Sequence, residues 1–275
     1  MSECNHDCSS CKENCGDRKP SREDFLKPMN KYSDIKKVIG VVSGKGGVGK
    51  SLVTCLLASK CAEAGLKVGV LDADVTGPSV PKSFGITSRA MQDEECLLPT
   101  VTENGVKIMS INLLLEDVNS PVVWRGPVIS GVIEQFWSDV RWGELDYLFV
   151  DMPPGTGDAA LTVFQSLPVD GIVIVSTPQD LVKMIVNKAF NMAKMMSVPV
   201  LGLVENMSYY ICPDCGKKIN IFGESQIDDT AKELGVPVIA KLPINPEINK
   251  MVDNGKISDV KCSELDEFVS ALKGE

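Results

Sequence analysis

The sequence predicts an α/β fold, a doubly wound and mostly parallel sheet, and three observations carry that expectation. Short β-branched runs alternate with longer amphipathic stretches, a glycine-rich segment joins the first run to the first helix, and aspartates stand where two later runs end. The apolar runs lie at 38–42, 68–71, 147–150, 172–175 and 200–204. Such continuous runs suit strands buried on both faces. Helical patterns fill 50–64, 127–140, 158–167, 180–196 and 225–234. Between 96 and 115 the pair Asn104-Gly105 separates two apolar segments, which predicts a hairpin inserted into the wound sheet.

Before the first strand the pattern is absent. Residues 1–34 carry Cys4, Cys8, Cys11 and Cys15, the chain's single histidine His6, several charges and no sustained apolar periodicity. They read as a short Cys-rich N-terminal metal-binding appendage that cannot bury a core alone. The expected organisation is this appendage, 1–34, followed by a larger domain over 35–275.

Composition narrows the function. The 275 residues are 44% hydrophobic and 24% charged, and no apolar run approaches the roughly 18 to 20 residues that span a bilayer. The polar start lacks the layout of a secretory signal, so a cytoplasmic location and no membrane partner are expected. Ten cysteines in such a chain read as thiols, metal ligands or redox groups rather than disulfides. A net charge of −9 disfavours phosphate backbones, so no nucleic-acid partner is expected. With His6 in the N-terminal segment, histidine catalysis in the body of the domain is excluded.

The segment after the first strand, Gly44-Lys45-Gly46-Gly47-Val48-Gly49-Lys50-Ser51, has the spacing G-x-x-x-x-G-K-S and opens onto a helix. Its main-chain N–H groups are expected to converge on the phosphates of ATP, with Lys50 at the β- and γ-phosphates and Ser51 on Mg2+. Asp72 and Asp74 end the second run and Asp151 ends another, at the strand ends where wound sheets bind ligands. Asp72 has a strand-end cap as its alternative reading, and Asp158 reads equally as an N-cap for the helix it precedes.

The extra lysine, Lys45, makes this loop similar to the deviant Walker A motif of the MinD, ParA and nitrogenase-iron-protein class of P-loop NTPases. That resemblance implies a homodimer in which Lys45 reaches the partner's phosphates and stabilises transition-state charge. It further implies that Asp151 holds Mg2+ and that Asp74 orients the attacking water. Asp-Ala-Asp-Val-Thr-Gly-Pro-Ser (72–79), Trp-Arg-Gly-Pro (124–127), Asp-Met-Pro-Pro-Gly-Thr-Gly-Asp (151–158), Thr-Pro-Gln-Asp (177–180), Glu-Asn-Met-Ser (205–208) and Cys-Pro-Asp-Cys (212–215) narrow the likeness. Over residues 36–250 the chain resembles the Mrp/ApbC iron-sulfur cluster carriers, a family reading that makes Asn206 an adenine contact.

Cys212 and Cys215 sit in a loop with proline and glycine, where two thiolates converge on one metal and leave its coordination incomplete. A two-fold partner is the economical source of two more, which gives a dimer-bridging [4Fe-4S] cluster; a redox dithiol, zinc and plain loop cysteines stand beside that reading. Branches of the family carry an N-terminal four-cysteine cluster, but the spacing Cys4-x3-Cys8-x2-Cys11-x3-Cys15 departs from theirs, which leaves cluster, zinc or nothing open there. Cys55, Cys61 and Cys96 read as buried apolar cysteines, and Met192, Met195 and Met196 as packing residues. The expected activity is slow, dimer-linked ATP hydrolysis that drives delivery of a cluster to apo-proteins. An ATP-driven electron donor resembling nitrogenase iron protein and a MinD/ParA-like positioning ATPase are the alternatives, the latter disfavoured by the acidic segment 263–275.

Overall fold

The structure, a computed structural model, describes residues 22–75, 77–115, 126–179 and 182–274. In chain order, β1 (Asp34–Ser43), α1 (Lys50–Glu63), β2 (Val68–Asp72), α2 (Val80–Ser83), β3 (Met91–Gln92), β4 (Leu97–Leu98), β5 (Thr100–Val101) and β6 (Lys107–Met109) make the first half. Then follow α3 (Gly126–Ser138), β7 (Glu144–Asp151), α4 (Asp158–Ser166), β8 (Gly171–Ser176), α5 (Val182–Met195), β9 (Val200–Ile211), β10 (Lys218–Ile219), α6 (Ile227–Leu234), β11 (Val238–Ile244), α7 (Pro246–Asp253) and α8 (Asp266–Gly274).

Among the described residues nine strands share one sheet, ordered β9-β8-β1-β7-β2-β6-β5 with β10 and β11 both pairing with β9. Strands β11, β9, β8, β1, β7, β2 and β6 run parallel, while β5 and β10 are antiparallel to their neighbours. The chain leaves β1 for β2 two places away, and β7 later fills the gap; β8 then takes the other flank of β1. The order therefore reverses at β1, and the crevice beyond its carboxyl end is the place such sheets offer to ligands.

Side-chain alternation builds a core on each face. Val38, Val42, Ile172, Ile174, Leu148 and Val150 face α3, α4, α5 and α6. Ile39, Val41, Val173, Val175, Tyr147 and Phe149 face α1 and α8. The predicted strands and helices all form, most with ends displaced by a few residues, while the strand expected at 200–204 runs on to Ile211; the helix predicted at 180–196 is Val182–Met195, and Asp180 lies outside the described residues. The hairpin expected at Asn104-Gly105 forms between β5 and β6, with Gly105 at φ 84°. Because β6 also joins β2 in parallel, that hairpin forms the edge of the main sheet.

Cys55, Cys61 and Cys96 are buried as expected, and Met192 packs in the core. Met195 is outside the core, 83% exposed. Residues 22–33, inside the segment read as an appendage, lie against the body. The Lys27 amide donates to the Ser166 carbonyl (2.8 Å), Trp137 Nε1 donates to the Lys27 carbonyl (3.0 Å), and Asn30 Nδ2 donates to the Ser138 carbonyl (3.1 Å). Cys4, Cys8, Cys11, Cys15 and His6 fall outside the described residues. Among the described residues no helix is long and apolar enough to cross a membrane.

Candidate functional site

The loop 44–49 leaves β1 at Ser43 and enters α1 through Gly49, which sits at φ 83° and brings no side chain to cap the helix. The first amides of α1 therefore stay open to an anion, and the helix dipole adds its positive end. Two glycines are required by crowding. A Cβ on Gly44 would lie 2.1 Å from Ile185 Cγ2, and one on Gly49 would lie 2.1 Å from Asn206 Nδ2. Gly46 and Gly47 have nothing within 4 Å of that position and face the open side. A cavity of about 320 Å³ lies over the loop, lined by Gly46, Gly47, Gly49, Lys50, Ser51 and Asp74 among others.

Beneath the loop β7 delivers Asp151, fully buried, into a set of donors. Lys50 Nζ lies 2.8 Å from Asp151 Oδ1 and 3.6 Å from Asp74 Oδ2. Ser51 Oγ donates to Asp151 Oδ2 at 2.6 Å, and Thr54 Oγ1 donates to Asp151 Oδ1 at 2.8 Å. A hydroxyl and a carboxylate side by side beneath a phosphate-type loop are hard oxygen donors, the chemistry that suits Mg2+. Thr54 was not singled out from sequence; its place one helical turn after Lys50, on the same face of α1, was the available signal.

Asp72, also fully buried, accepts from Ser110 Oγ at 3.0 Å and from the Asp74 amide at 3.3 Å. Burial first, and then the neighbouring charge of Asp151, push its carboxyl up to about 8. Lys45 turns to its own chain, its ammonium donating to Gln179 Oε1 just beyond β8. Asn206, 3% exposed, donates through Nδ2 to the Val48 carbonyl at 2.9 Å, so β9 clasps the loop from the side. Asp158 opens α4 as its first residue, one place after the cap position, which Gly157 occupies.

Farther along β9 the chain turns at 212–217. The Cys212 amide donates to the Lys217 carbonyl (3.0 Å), the Gly216 amide donates to the Cys212 carbonyl (2.9 Å), and Gly216 sits at φ 68°. Amides of Cys215 and Asp214 that bond its sulfur hold the Cys212 thiol below its usual range. Cys212 is half-buried and Cys215 exposed. Ile211, Ile219, Ile221 and Phe222, on the same stretch of chain, are each at least 40% exposed. Among the described residues no three histidine, cysteine or acidic side chains gather where they could hold a metal ion, so this turn offers two thiols per chain.

A model of the ParA-type NUBPL iron-transfer P-loop NTPases matches residues 34–273. The chain belongs to this family. It is 51% identical over 236 residues to the "Iron-sulfur cluster carrier protein" of Clostridium perfringens, covering 83% of each chain. It is 45% identical over 281 residues to the protein of that name from Methanocaldococcus jannaschii, covering 99% of this chain and 96% of the relative. Among solved structures, a nucleotide-binding protein from Archaeoglobus fulgidus in complex with ADP is 44% identical. It covers 85% of this chain and 92% of its own, with a TM-score of 0.78. The cell-division ATPase MinD of Pyrococcus furiosus, 19% identical with a TM-score of 0.60 over 86% of this chain and 97% of its own, shares the fold.

The iron-transfer NTPase fold thus brings Gly44 through Ser51, Asp72, Asp74, Asp151 and Asn206 to the end of β1. It holds Cys212 and Cys215 apart from them, in the turn that follows β9. Gln179, the partner of Lys45, is the second contact that sequence reasoning missed: it stood inside the quoted stretch 177–180, but nothing local tied it to a lysine 134 positions away.

Proposed function

We propose that this chain binds and hydrolyses ATP and carries a [4Fe-4S] cluster that it delivers to apo-proteins. The observation that carries the reading is the pairing, on one strand, of a clasp on the phosphate loop with an exposed two-thiol turn. The names of the relatives and the ADP in the Archaeoglobus structure support it.

Open amides of the loop and of α1, together with Lys50, bind and orient the β- and γ-phosphates of ATP. Ser51 and Asp151 hold Mg2+, which neutralises phosphate charge when bound. Ser51 Oγ donates to one carboxylate oxygen of Asp151, and Thr54, bonded to the other, keeps that carboxylate oriented. Asp74 orients the water that attacks the γ-phosphate, giving ADP and phosphate. Lys45 leaves Gln179 and reaches the phosphates of a second copy, which makes hydrolysis slow and dimer-linked.

The cluster is cargo. Cys212 and Cys215 supply two thiolates, a two-fold mate supplies two more, and the exposed apolar residues of the same stretch, Ile211, Ile219, Ile221 and Phe222, are suited to bury against that mate. Adenine lies beside Asn206. The proposed organisation is residues 1–34, in which Cys4, Cys8, Cys11 and Cys15 hold a second metal centre, and an ATPase domain over 35–275 on which 22–33 dock. The protein is proposed as a cytoplasmic homodimer without membrane partners, and the net charge of −9 disfavours nucleic acid.

Anaerobic reconstitution, iron and sulfide counting, and transfer to an apo-acceptor test the reading. Iron that leaves for the acceptor supports a carrier; repeated one-electron turnover with all iron retained refutes it in favour of an electron donor.

A further inference from the structure

Strand β9 is twelve residues long, twice the length of its neighbour β8. Its first half pairs with β8 as far as Ser176 beside Glu205. Its outer half pairs with β10 and with the end of β11 and leads to Cys212. Between the halves is a bulge: from Glu205 to Tyr209 the strand uses four steps where β11 uses two, Lys241 to Pro243. Met207 in the bulge has φ 56°, a left-handed conformation that a bulky side chain adopts only when its surroundings impose it.

Two fastenings impose it. On one side Asn206 bonds the Val48 carbonyl, in a contact so close that Gly49 has no room for a Cβ. On the other, the fully buried Glu205 carboxylate accepts from Ser208 Oγ (2.6 Å) and from Ser225 Oγ (2.8 Å). Ser208 begins the excursion that carries the two cysteines, and Ser225 ends it just before α6. One carboxylate therefore grips both feet of residues 208–225. Ser176 Oγ, whose backbone pairs in register with Glu205 so that both side chains share a face of the sheet, is buried with no hydrogen-bond partner among the described residues. A third hydroxyl thus lies on the same face of the sheet as the carboxylate, on the adjacent strand.

We infer that Glu205 is a positioning residue that couples the phosphate loop to the cysteine turn through the β9 bulge. Displacement of the loop by a nucleotide moves Asn206, the bulge shifts with it, and the carboxylate exchanges an excursion serine for Ser176. That frees one foot of the excursion and alters the exposure of Cys212 and Cys215. Two discrete hydrogen-bond arrangements of one buried group are what a coupled element requires. The inference rests on the proposed roles of the loop and the turn, and its test separates them.

The test uses the full chain, free of metal, with alkylation of Cys212 and Cys215 followed by peptide mapping, with and without a non-hydrolysable ATP analogue. In the wild-type protein the nucleotide is expected to change the alkylation rate by about fivefold or more, the lower end for coupled sites. In Ser225→Ala, Glu205→Gln and Ser176→Ala that ratio falls toward one while analogue affinity stays within about twofold. Ser225→Thr, which keeps a hydroxyl, restores the ratio. An unchanged ratio in Ser225→Ala and Ser176→Ala, both small changes that leave the core intact, overturns the inference, and so does a wild-type protein whose thiols ignore the nucleotide. A nucleotide effect abolished by these variants in a protein that reconstitutes no cluster sustains the coupling and refutes the carrier reading instead.

Discussion

Replacing Gly49 by alanine tests whether the loop is held by its contact with β9 as well as by its own conformation. At φ 83° an L side chain costs about 1–2 kcal/mol. The added Cβ would lie 2.1 Å from Asn206 Nδ2, so the amide must leave. Its hydrogen bond to the Val48 carbonyl breaks and a buried polar group goes unmatched, a further cost of about 1–3 kcal/mol. Gly49→Ala should therefore destabilise the nucleotide-free protein by about 2–5 kcal/mol, read from urea denaturation midpoints at constant slope. In an Asn206→Ala background only the conformational cost remains, about 1–2 kcal/mol, so a double-mutant cycle should show a coupling of about 1–3 kcal/mol. Gly46→Ala is the control: with nothing within 4 Å of its Cβ, it should move stability by no more than about 0.5 kcal/mol. Equal destabilisation by Gly49→Ala in both backgrounds would refute the clasp.

Further outcomes bear on the chemistry. Lys50→Ala, which removes the ammonium nearest Asp151, should weaken ATP binding about tenfold or more in a fluorescent-nucleotide titration, whereas Lys45→Ala should keep binding and lose hydrolysis by about 10³-fold; unchanged phosphate release in Lys45→Ala excludes its action in trans. A chain lacking residues 1–21, cut before the docked stretch 22–33, should reconstitute about four irons per dimer, falling to near zero in Cys215→Ala. A monomer that keeps a full cluster would contradict the bridging site. Asp72 gives the pH dependence: its folded value, about 8, lies above the ordinary 3.8, so the folded state binds the proton more tightly. Stability is then full at acid pH and lost as pH rises from about 4 through about 8. Asp72→Asn should flatten that loss in denaturation of the metal-free protein, and a parallel decline in both proteins would refute the assignment.

Much of the fold was legible because parallel strands buried on two faces leave unbroken apolar runs, as at Val173 and Ile174. Strand β11 escaped notice for the opposite reason. It pairs only with β9, its burial is partial along most of its length, and it contains Pro243, which an edge strand tolerates and a central one does not. The hairpin turn was read correctly at Gly105, yet pairing of β6 with β2 depends on residues some 38 positions earlier and left no local mark. Docking of residues 22–33 was equally hidden: the Lys27 amide, the Asn30 side chain and the Trp137 indole make its ties, and each joins residues more than 100 positions apart, so no local pattern marks it.

The phosphate loop is a local device, so its eight residues spell it out; the groups that hold it do not lie nearby. Asn206 reaches Val48 across 158 positions, and Thr54 and Ser51 meet Asp151 across about a hundred. The same division runs through β9. Its apolar run stops at Val204, one residue before the pairing with β8 ends at Glu205 beside Ser176, and the buried positions that follow are filled by polar side chains with partners of their own. The residues that follow, Glu205, Asn206 and Ser208, look in sequence like the end of a strand. In the structure they continue it, and their polarity fastens the extension to the phosphate loop on one side and to the feet of the cysteine turn on the other. An apolar residue at 205 or 206 would lengthen the run on paper, yet it would leave the loop unclasped or the excursion unheld.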